Sequence, residues 1–167
     1  MPDPALLDQA IEVITALRGE GAHVHSITNT VAQNFTANVL LASGATVSMT
    51  ANPKEIESFM QHANALHVNL GTLDDERVEA INKAVVMAQE KAIPITLDPV
   101  MIHVSEQRRE LAKTLMKFPQ IIRGNQSEIN ALDAKLAGEV CLVKTGQVDE
   151  IRQGGKVVKV ENGHALM

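Results

Sequence analysis

Hydrophobic residues in this chain follow two patterns that alternate along the sequence. Apolar side chains three or four positions apart predict amphipathic helices over about 6–18, 31–42, 53–60, 74–88 and 105–118. Short apolar runs between them predict strands at 23–28, 45–50, 65–70, 93–100, 120–122 and 140–143. Asn29 and Thr30 precede the second helix and are expected to cap it, because their side-chain oxygens can accept backbone N–H groups.

The order of these elements indicates the fold class. Strands that alternate with helices form βαβ units, and such units build a mainly parallel sheet with helices on both faces. We therefore predict a three-layer α/β fold, and we assign residues 1–167 to a single domain. Residues 151–158 do not follow this βαβ pattern, because the Gly-Gly pair at 154–155 predicts a β-hairpin.

The run at 93–100 ends on a carboxylate whose backbone is constrained. Pro99 fixes its own φ and keeps Asp98 out of the helical region, so the chain stays extended or turns there. In open parallel sheets, ligands bind just beyond the carboxyl ends of the strands. Asp98 is therefore a candidate metal ligand or proton-transfer group, and a turn or helix-capping aspartate is the alternative.

Polar residues also follow the ends of the other predicted strands. They include Thr28-Asn29, Asn69-Gly71-Thr72, Arg123-Asn125-Glu128 and Thr145-Gly146. Since parallel strands share one carboxyl edge, residues far apart in the sequence can meet there. Asp98, Glu128 and Arg123 together suit a divalent metal and an anionic substrate, because carboxylate oxygens hold Mg²⁺ and arginine recognises phosphate.

Composition narrows the class of protein. Hydrophobic residues at 45% and charged residues at 21% are ordinary for a globular domain. The net charge of −5, with no Trp or Tyr and three Phe, argues against nucleic-acid binding. Cys141 is the only cysteine, which excludes an intrachain disulfide. We expect no signal peptide at residues 1–4 and see no run long enough to cross a bilayer, so a cytoplasmic protein is expected.

Several other residues have simpler interpretations. His23 and His25 lie two apart on one face of a strand and could bind a metal, but no third ligand is near them in the sequence. Cys141 lies inside an apolar strand and is expected to be a small buried hydrophobe. His103 is expected in a surface loop, and Arg108-Arg109 on the solvated side of a helix.

Six short motifs occur in an order that resembles one enzyme family. They are His25-Ser-Ile-Thr-Asn29, Asn38-Val-Leu-Leu-Ala-Ser-Gly44-Ala45, Asn69-Leu-Gly-Thr72-Leu73, Leu97-Asp-Pro-Val100, Ile122-Arg-Gly-Asn-Gln-Ser-Glu128 and Lys144-Thr-Gly146. From about residue 23 onward, the chain resembles the hydroxyethylthiazole kinases, which are ribokinase-like enzymes of thiamine biosynthesis. The resemblance implies a ribokinase-like fold and transfer of the ATP γ-phosphoryl group to the alcohol of 4-methyl-5-(2-hydroxyethyl)thiazole.

The resemblance also implies roles for individual residues. Asn29 and Met49 match positions that contact the thiazole substrate. The sequence around Met49 by itself favours an ordinary core residue at the end of a strand. Arg123, Asn125 and Thr145 match positions that bind the nucleotide.

The metal site and the assembly state are implied in the same way. Residues 125–128 are similar to an Asn-x-x-Glu motif that organises magnesium and phosphate groups in the superfamily. With this motif, Asp98 and Glu128 are the expected Mg²⁺ ligands, and ATP is the expected co-substrate. Members of the family are homotrimers with sites between subunits, so a homotrimer is implied.

The chain departs from the family pattern in three places. No Gly-Thr-Gly-Cys motif follows residues 162–167, so we identify no catalytic residue and expect a shortened chain whose C-terminal part is missing. The segment between Leu132 and Cys141 is too short for a full crossover, and Met101-Ile102-His103 stands where the family has a glycine. Two alternatives stay open: another ribokinase-like vitamin kinase, or a thiazole-binding or assembly module without catalytic activity.

Overall fold

The computed structural model describes residues 4–132, 139–161 and 163. Its elements follow the predicted order, with one additional short helix at Gln126–Ala131 that the apolar spacing did not predict. The strands are β1 His23–Ile27, β2 Thr46–Ser48, β3 Ala65–Asn69, β4 Ile95–Asp98, β5 Ile121–Asn125, β6 Cys141–Thr145, β7 Asp149–Gln153 and β8 Lys156–Val160. The helices are α1 Pro4–Glu20, α2 Gln33–Ser43, α3 Ile56–Met60, α4 Asp75–Glu90, α5 Glu106–Leu115 and α6 Gln126–Ala131. The crossover expected to be short, between Leu132 and Cys141, lies mostly outside the described residues.

The described strands form one sheet. Its order is β2-β1-β3-β4-β5-β6-β7-β8. β1 to β6 run parallel, and β7 and β8 add an antiparallel pair at one side. The predicted α/β fold with a mainly parallel sheet is therefore confirmed. Because β1 to β6 point the same way, their carboxyl ends lie along a single edge of the sheet, which we call the carboxyl edge.

The predicted hairpin forms from β7 and β8. Ile151 pairs with Val158, and Gly154 and Gly155 make the turn with φ angles of 54° and 80°. Two successive positive φ angles suit the tight hairpin turns whose twist matches that of the paired strands. Glycine adopts such angles without a steric penalty, so the Gly-Gly pair specifies where the chain reverses.

One hydrophobic core packs α3 and α4 against the sheet. Its strand members include Ile27, Leu66, Val68, Leu97 and Ile122, each at most 1% exposed. The buried residues of α4 are Ala80, Ile81, Ala84, Val85 and Ala88. Their spacing of three and four positions places them on one face of the helix, which is the pattern of a surface helix that covers a core.

α1 and α2 leave much of their apolar surface open. Ile11 of α1 is 55% exposed, and Phe35 and Val39 of α2 are 73% and 46% exposed. Every residue of α2 is described, and none of them is fully buried. A cavity of about 610 Å³ lies between α2 and the sheet and extends to Asp98 at the carboxyl edge. These helices therefore carry the predicted apolar faces but do not bury them as α4 does.

The start of α2 differs from the prediction. The helix begins at Gln33, and Ala32 occupies the N-cap position. The Asn29 side-chain Oδ1 accepts the Ala32 N–H at 2.8 Å, which closes a turn before the helix. The prediction that Asn29 and Thr30 cap this helix is therefore wrong, because the turn held by Asn29 comes first.

Other helices begin where side chains can satisfy their free N–H groups. Asp74 caps α4 by accepting the Arg77 N–H, and Ser105 caps α5 by accepting the Arg108 N–H. α4 also carries acidic residues in its first turn, where the helix dipole favours negative charge. Among the helices that the structure describes, none is both long and apolar enough to cross a membrane.

Candidate functional site

The predicted site residues lie in a row along the carboxyl edge. From one side of the sheet to the other, the strand order places Met49 after β2, Asn29 after β1, Asp98 on β4, Arg123 and Asn125 on β5 with Glu128 in α6 directly after it, and Thr145 on β6. Asn69, at the end of β3, lies between Asn29 and Asp98. The residues expected to contact the thiazole therefore lie on one side of Asp98, and those expected to bind the nucleotide lie on the other.

Asp98 is the buried carboxylate at the centre of this row. It is 7% exposed, and its Oδ2 accepts hydrogen bonds from Asn69 Nδ2 at 3.0 Å and from Arg123 Nη1 at 3.1 Å. Its other oxygen, Oδ1, is buried and has no hydrogen-bond partner among the described residues. A buried carboxylate oxygen without a partner is costly, so it requires a functional or structural explanation.

Burial and the charges around Asp98 shift its pKa in opposite directions. Burial raises the pKa of the Asp98 carboxyl above its ordinary value, the Arg123 guanidinium lowers it, and the negative charge of Glu128 raises it again. The net shift is upward. Asp98 is thus a carboxylate whose negative charge is only partly compensated by the protein, and an additional cation would stabilise it.

Glu128 connects the end of β5 to the turn after β4. It is 6% exposed, its Oε2 accepts the Asn125 N–H at 2.9 Å, and its Oε1 accepts the Met101 N–H at 2.9 Å. The Asn125 side chain accepts the Glu128 N–H at 3.0 Å, which completes a capping box at the start of α6. Asn125 and Glu128 therefore have a structural task in addition to any contact with a ligand.

The turn after Asp98 is strained and held by side chains. Met101 has a φ of 60°, in the left-handed region that favours glycine, so its backbone conformation is strained for a methionine. Arg108 Nη1 donates to the Val100 carbonyl at 3.3 Å, and Arg109 Nε donates to the Ile102 carbonyl at 3.1 Å. The interpretation of Arg108 and Arg109 as a solvated helix side is therefore wrong, because both bind the backbone of this turn.

Arg123 and Thr145 lie on the nucleotide side of Asp98. Arg123 keeps 48% of its side chain exposed while it contacts Asp98. Asn125 and Thr145 are direct partners across β5 and β6. An exposed guanidinium beside paired strand ends can reach a phosphate group from the open edge of the sheet.

Asn29 belongs to a chain of side-chain amides on the other side of Asp98. Its Nδ2 donates to Asn69 Oδ1 at 3.0 Å, and the Gly71 N–H donates to the same oxygen at 2.9 Å. A Cβ at Gly71 would lie 2.7 Å from the Asn29 Cβ, so only glycine permits this close approach. No individual role was predicted for Asn69 from the sequence. Its position directly opposite Asp98 in the strand register is the feature that identifies it as part of the site.

The two histidines of β1 contact hydroxyl groups beside Met49. Ser48 Oγ lies 2.8 Å from His23 Nε2 and 2.7 Å from His25 Nδ1, and the His25 ring stacks on Phe59. Burial, together with the charge of the neighbouring His23, lowers the pKa of His25 to about 4. Within the described part of the chain, no three His, Cys, Asp or Glu side chains gather closely enough to hold a metal. Met49 itself is only partly buried, and so is Cys141, which was expected to be buried.

The cavity under α2 joins polar and apolar surface. Its sheet side includes His67, Asn69, Asp98 and Arg123, whereas α2 contributes apolar residues such as Phe35. His67 Nδ1 lies 2.8 Å from Ser26 Oγ, and burial together with the charge of Arg123 lowers the pKa of His67 to about 4. His67 is therefore neutral near pH 7 and adds no positive charge to the site.

Comparison with known proteins identifies relatives of this chain. Residues 14–140 match the sequence profile of the hydroxyethylthiazole kinase family. A probable hydroxyethylthiazole kinase from Agrobacterium fabrum is 38% identical over 160 residues, which cover 95% of this chain and 64% of the relative. The hydroxyethylthiazole kinase of Cronobacter sakazakii is 38% identical over 184 residues, with 95% and 69% covered. The chain thus spans 64% and 69% of the length of these two curated relatives.

Solved structures agree with the fold. The chain is similar to the hydroxyethylthiazole kinase protein of Pyrococcus horikoshii OT3, with a TM-score of 0.84 and 33% identity over 93% of this chain and 68% of that one. A putative ribokinase II from E. coli matches with a TM-score of 0.57 and 14% identity, over 83% of this chain and 61% of that one. The second likeness concerns the fold alone, and together they confirm the predicted ribokinase-like architecture.

Proposed function

The chain belongs to the hydroxyethylthiazole kinase family, and on this basis we propose that it is a kinase of thiamine biosynthesis. The proposed reaction transfers the γ-phosphoryl group of ATP to the hydroxyl of 4-methyl-5-(2-hydroxyethyl)thiazole. Apart from family membership, one observation supports the proposal. A buried carboxylate, Asp98, lies against the half-exposed guanidinium of Arg123 at the centre of the carboxyl edge.

This pair of charges suits phosphoryl transfer. The reaction depends mostly on positioning and on neutralising negative charge, because it asks for little covalent chemistry from the protein. Arg123 can contact a phosphate oxygen without a large desolvation cost, since about half of its side chain already faces solvent. Asp98 sets the direction of that guanidinium through the 3.1 Å contact.

Magnesium fits the Asp98 side of the site. Asp98 Oδ1 is a buried carboxylate oxygen without a partner among the described residues, and oxygen atoms are the ligands that Mg²⁺ prefers. Asp98 would hold the ion. Glu128, the other expected ligand, already accepts a backbone N–H on each carboxylate oxygen and would add negative charge nearby. Kinase sites commonly bind Mg²⁺ through one or two carboxylates together with substrate phosphates. When bound, the ion would neutralise charge on the phosphate groups.

The two substrates are assigned to opposite sides of Asp98. We assign the thiazole alcohol to the side of Asn29 and Met49, and ATP to the side of Arg123, Asn125 and Thr145. The phosphoryl group would then pass between them next to Asp98. Asn29, fixed by Ala32 and Asn69, would orient the alcohol, and Arg123 would orient the phosphates. We assign no catalytic base to the described residues.

A panel of acceptor alcohols tests the proposal against its alternatives. The protein is incubated with ATP and Mg²⁺ and with the thiazole alcohol, a pyrimidine alcohol or a sugar alcohol, and the phosphorylated product is measured by mass spectrometry. We expect product from the thiazole alcohol. Preferred phosphorylation of the pyrimidine or the sugar would indicate another ribokinase-like kinase. Calorimetric binding of the thiazole alcohol without any product would indicate a binding or assembly module.

We further propose a cytoplasmic homotrimer in which the described sheet belongs to one domain. The open apolar residues of α1 and α2, including Ile11 and Phe35, support self-association, because large apolar patches commonly mark contact surfaces. Light scattering tests the assembly state. We expect a mass three times that of one chain, and the mass of a single chain would overturn this proposal.

A further inference from the structure

Asn69 lies between Asn29, on the proposed thiazole side of the site, and Asp98 at its centre. It ends β3 and is 7% exposed, and its Cα is the direct partner of the Asp98 Cα across β3 and β4. Its Nδ2 donates to Asp98 Oδ2 at 3.0 Å. Its Oδ1 accepts from Asn29 Nδ2 at 3.0 Å and from the Gly71 N–H at 2.9 Å. One buried side chain thus contacts both Asn29, on the thiazole side, and Asp98, at the centre of the row.

We propose that Asn69 is a positioning residue: its amide occupies Asp98 Oδ2, leaves Oδ1 as the free oxygen, and fixes Asn29 relative to Asp98. The residue acts through its neighbours and need not touch either substrate. This inference rests on the proposed phosphoryl-transfer function. It adds a residue that has neither a charge nor a nucleophilic atom to the set on which the reaction depends.

The neighbours of Asn69 require an amide at this position. Ionised Asp98 can only accept hydrogen bonds, so it needs a donor, whereas Asn29 Nδ2 and the Gly71 N–H are donors and need an acceptor. An asparagine side chain offers both a donor, its NH₂ group, and an acceptor, its carbonyl oxygen, in a single plane. An aspartate would keep the acceptor but place a second carboxylate against Asp98, and an alanine would supply neither group. Because the site is buried, each lost hydrogen bond leaves an unsatisfied group.

Two substitutions separate positioning of Asp98 from support of the turn at Gly71. Asn69→Ala removes both functions of the amide. Asn69→Asp keeps the acceptor for Gly71 and Asn29, but it replaces the donor to Asp98 with a second carboxylate oxygen. We expect both variants to lose roughly 10–100-fold in kcat, the range typical of residues that orient a metal ligand. We expect the KM for the thiazole alcohol to change much less. Wild-type kcat in Asn69→Asp would overturn the inference, because it would show that the acceptor alone matters.

A matched control lies at the other end of the same strand. Asn64 comes directly before β3, at the end of the strand opposite the carboxyl edge. Its side chain accepts the His23 N–H at 2.7 Å. Asn64→Ala removes this hydrogen bond between the residue before β3 and the first residue of β1, so it reports the effect of a merely weakened fold. We expect Asn64→Ala to keep the wild-type kcat at a temperature where all variants are folded by circular dichroism. An equal loss of kcat in Asn64→Ala would overturn the positioning role.

A second readout does not depend on turnover. Mn²⁺ is used as a paramagnetic substitute for Mg²⁺, and its binding in the presence of ADP is followed by electron paramagnetic resonance. We expect Mn²⁺ affinity to fall roughly 10–100-fold in Asn69→Ala and to stay unchanged in Asn64→Ala. If the wild-type protein binds Mn²⁺ but phosphorylates no alcohol, the proposed function fails while the role of Asn69 is still tested. Unchanged Mn²⁺ affinity in Asn69→Ala would contradict the inference itself.

Discussion

Replacing Asp98 with asparagine should separate activity from stability. The substitution keeps the size of the side chain and removes its charge. Because asparagine retains one oxygen, it can still accept the hydrogen bonds that Asn69 and Arg123 now donate to Oδ2 at 3.0 and 3.1 Å. The new amide NH₂ takes the place of Oδ1, which already has no partner among the described residues.

The expected change in folding free energy is small. The contact with Arg123 is half exposed on the arginine side, and such ion pairs are worth about 0–1 kcal/mol. Removing a carboxylate whose pKa is raised by burial relieves a desolvation cost of the opposite sign. We therefore expect the free energy of unfolding of Asp98→Asn to lie within about 1 kcal/mol of wild type.

The expected change in activity is large. Without the charge, the site loses its proposed metal ligand and the group that directs Arg123. Loss of one electrostatic or acid–base contribution typically costs ~10²–10⁴ in rate, which is roughly 3–5 kcal/mol of barrier height.

The assay compares kcat/KM with urea unfolding for Asp98→Asn and for Asp75→Asn. Asp75 lies in the first turn of α4, so it undergoes the same chemical change away from the site. We expect Asp75→Asn to keep full activity. Wild-type activity in Asp98→Asn would refute the assignment of Asp98 as a metal ligand. So would a loss of activity that occurs only because the variant is unfolded.

Three further predictions concern the nucleotide contact, a helix end and the buried histidine. Arg123→Lys should raise the KM for ATP roughly 10–100-fold with little change in stability, because the half-exposed side chain contributes more to phosphate contacts than to folding; an unchanged KM in steady-state kinetics would exclude Arg123 from the nucleotide site. Ala92→Gly should stabilise the protein by about 1 kcal/mol in urea unfolding, since Ala92 follows α4 with a φ of 55°; Gln89→Gly inside the helix should destabilise it by a similar amount, and equal signs for the two would contradict this reasoning. Because the pKa of His25 falls from 6.5 to about 4 on folding, the folded protein binds fewer protons than the unfolded chain between these values. Stability should therefore fall as pH drops from 6.5 toward 4, with roughly 2–3 kcal/mol of the loss due to His25 and a similar part due to His67. Unfolding curves at several pH values should show this loss in the wild type and a smaller one in His25→Phe, and equal losses would rule out His25 as its source.

Much of the site could be predicted because a parallel sheet turns sequence position into spatial position. Asp98 and Arg123 are 25 residues apart, yet each stands near the carboxyl end of a strand, and the two strands are neighbours. The apolar runs identified those strands, and Pro99 marked where one of them ends. The contact between the two side chains follows from that topology.

The contacts inside the row could not be predicted in the same way. Several polar residues follow each strand, and the sequence does not show which of them turns inward. Asn69 does so because its register partner is Asp98, whereas Asn29 closes a turn with Ala32 and so does not cap α2. The strained backbone at Met101 was equally hidden, since a methionine gives no sign of a positive φ.

The exposed apolar faces of α1 and α2 could not be predicted from the sequence. Apolar spacing predicts that a helix has a face to bury, but it does not say what covers that face. In α4 the alanines, Ile81 and Val85 are buried in the core, whereas Phe35 of α2 remains 73% exposed. Apolar periodicity therefore predicted α1, α2 and α4 and left undetermined which surfaces cover them.

A crystal structure with the thiazole alcohol, Mg²⁺ and a non-hydrolysable ATP analogue tests the central claim most directly. We predict the analogue's phosphates beside Arg123 and Thr145, the ion on Asp98 Oδ1, and the thiazole hydroxyl on the side of Asn29. Density for the nucleotide or the thiazole away from the carboxyl edge would contradict the proposed site.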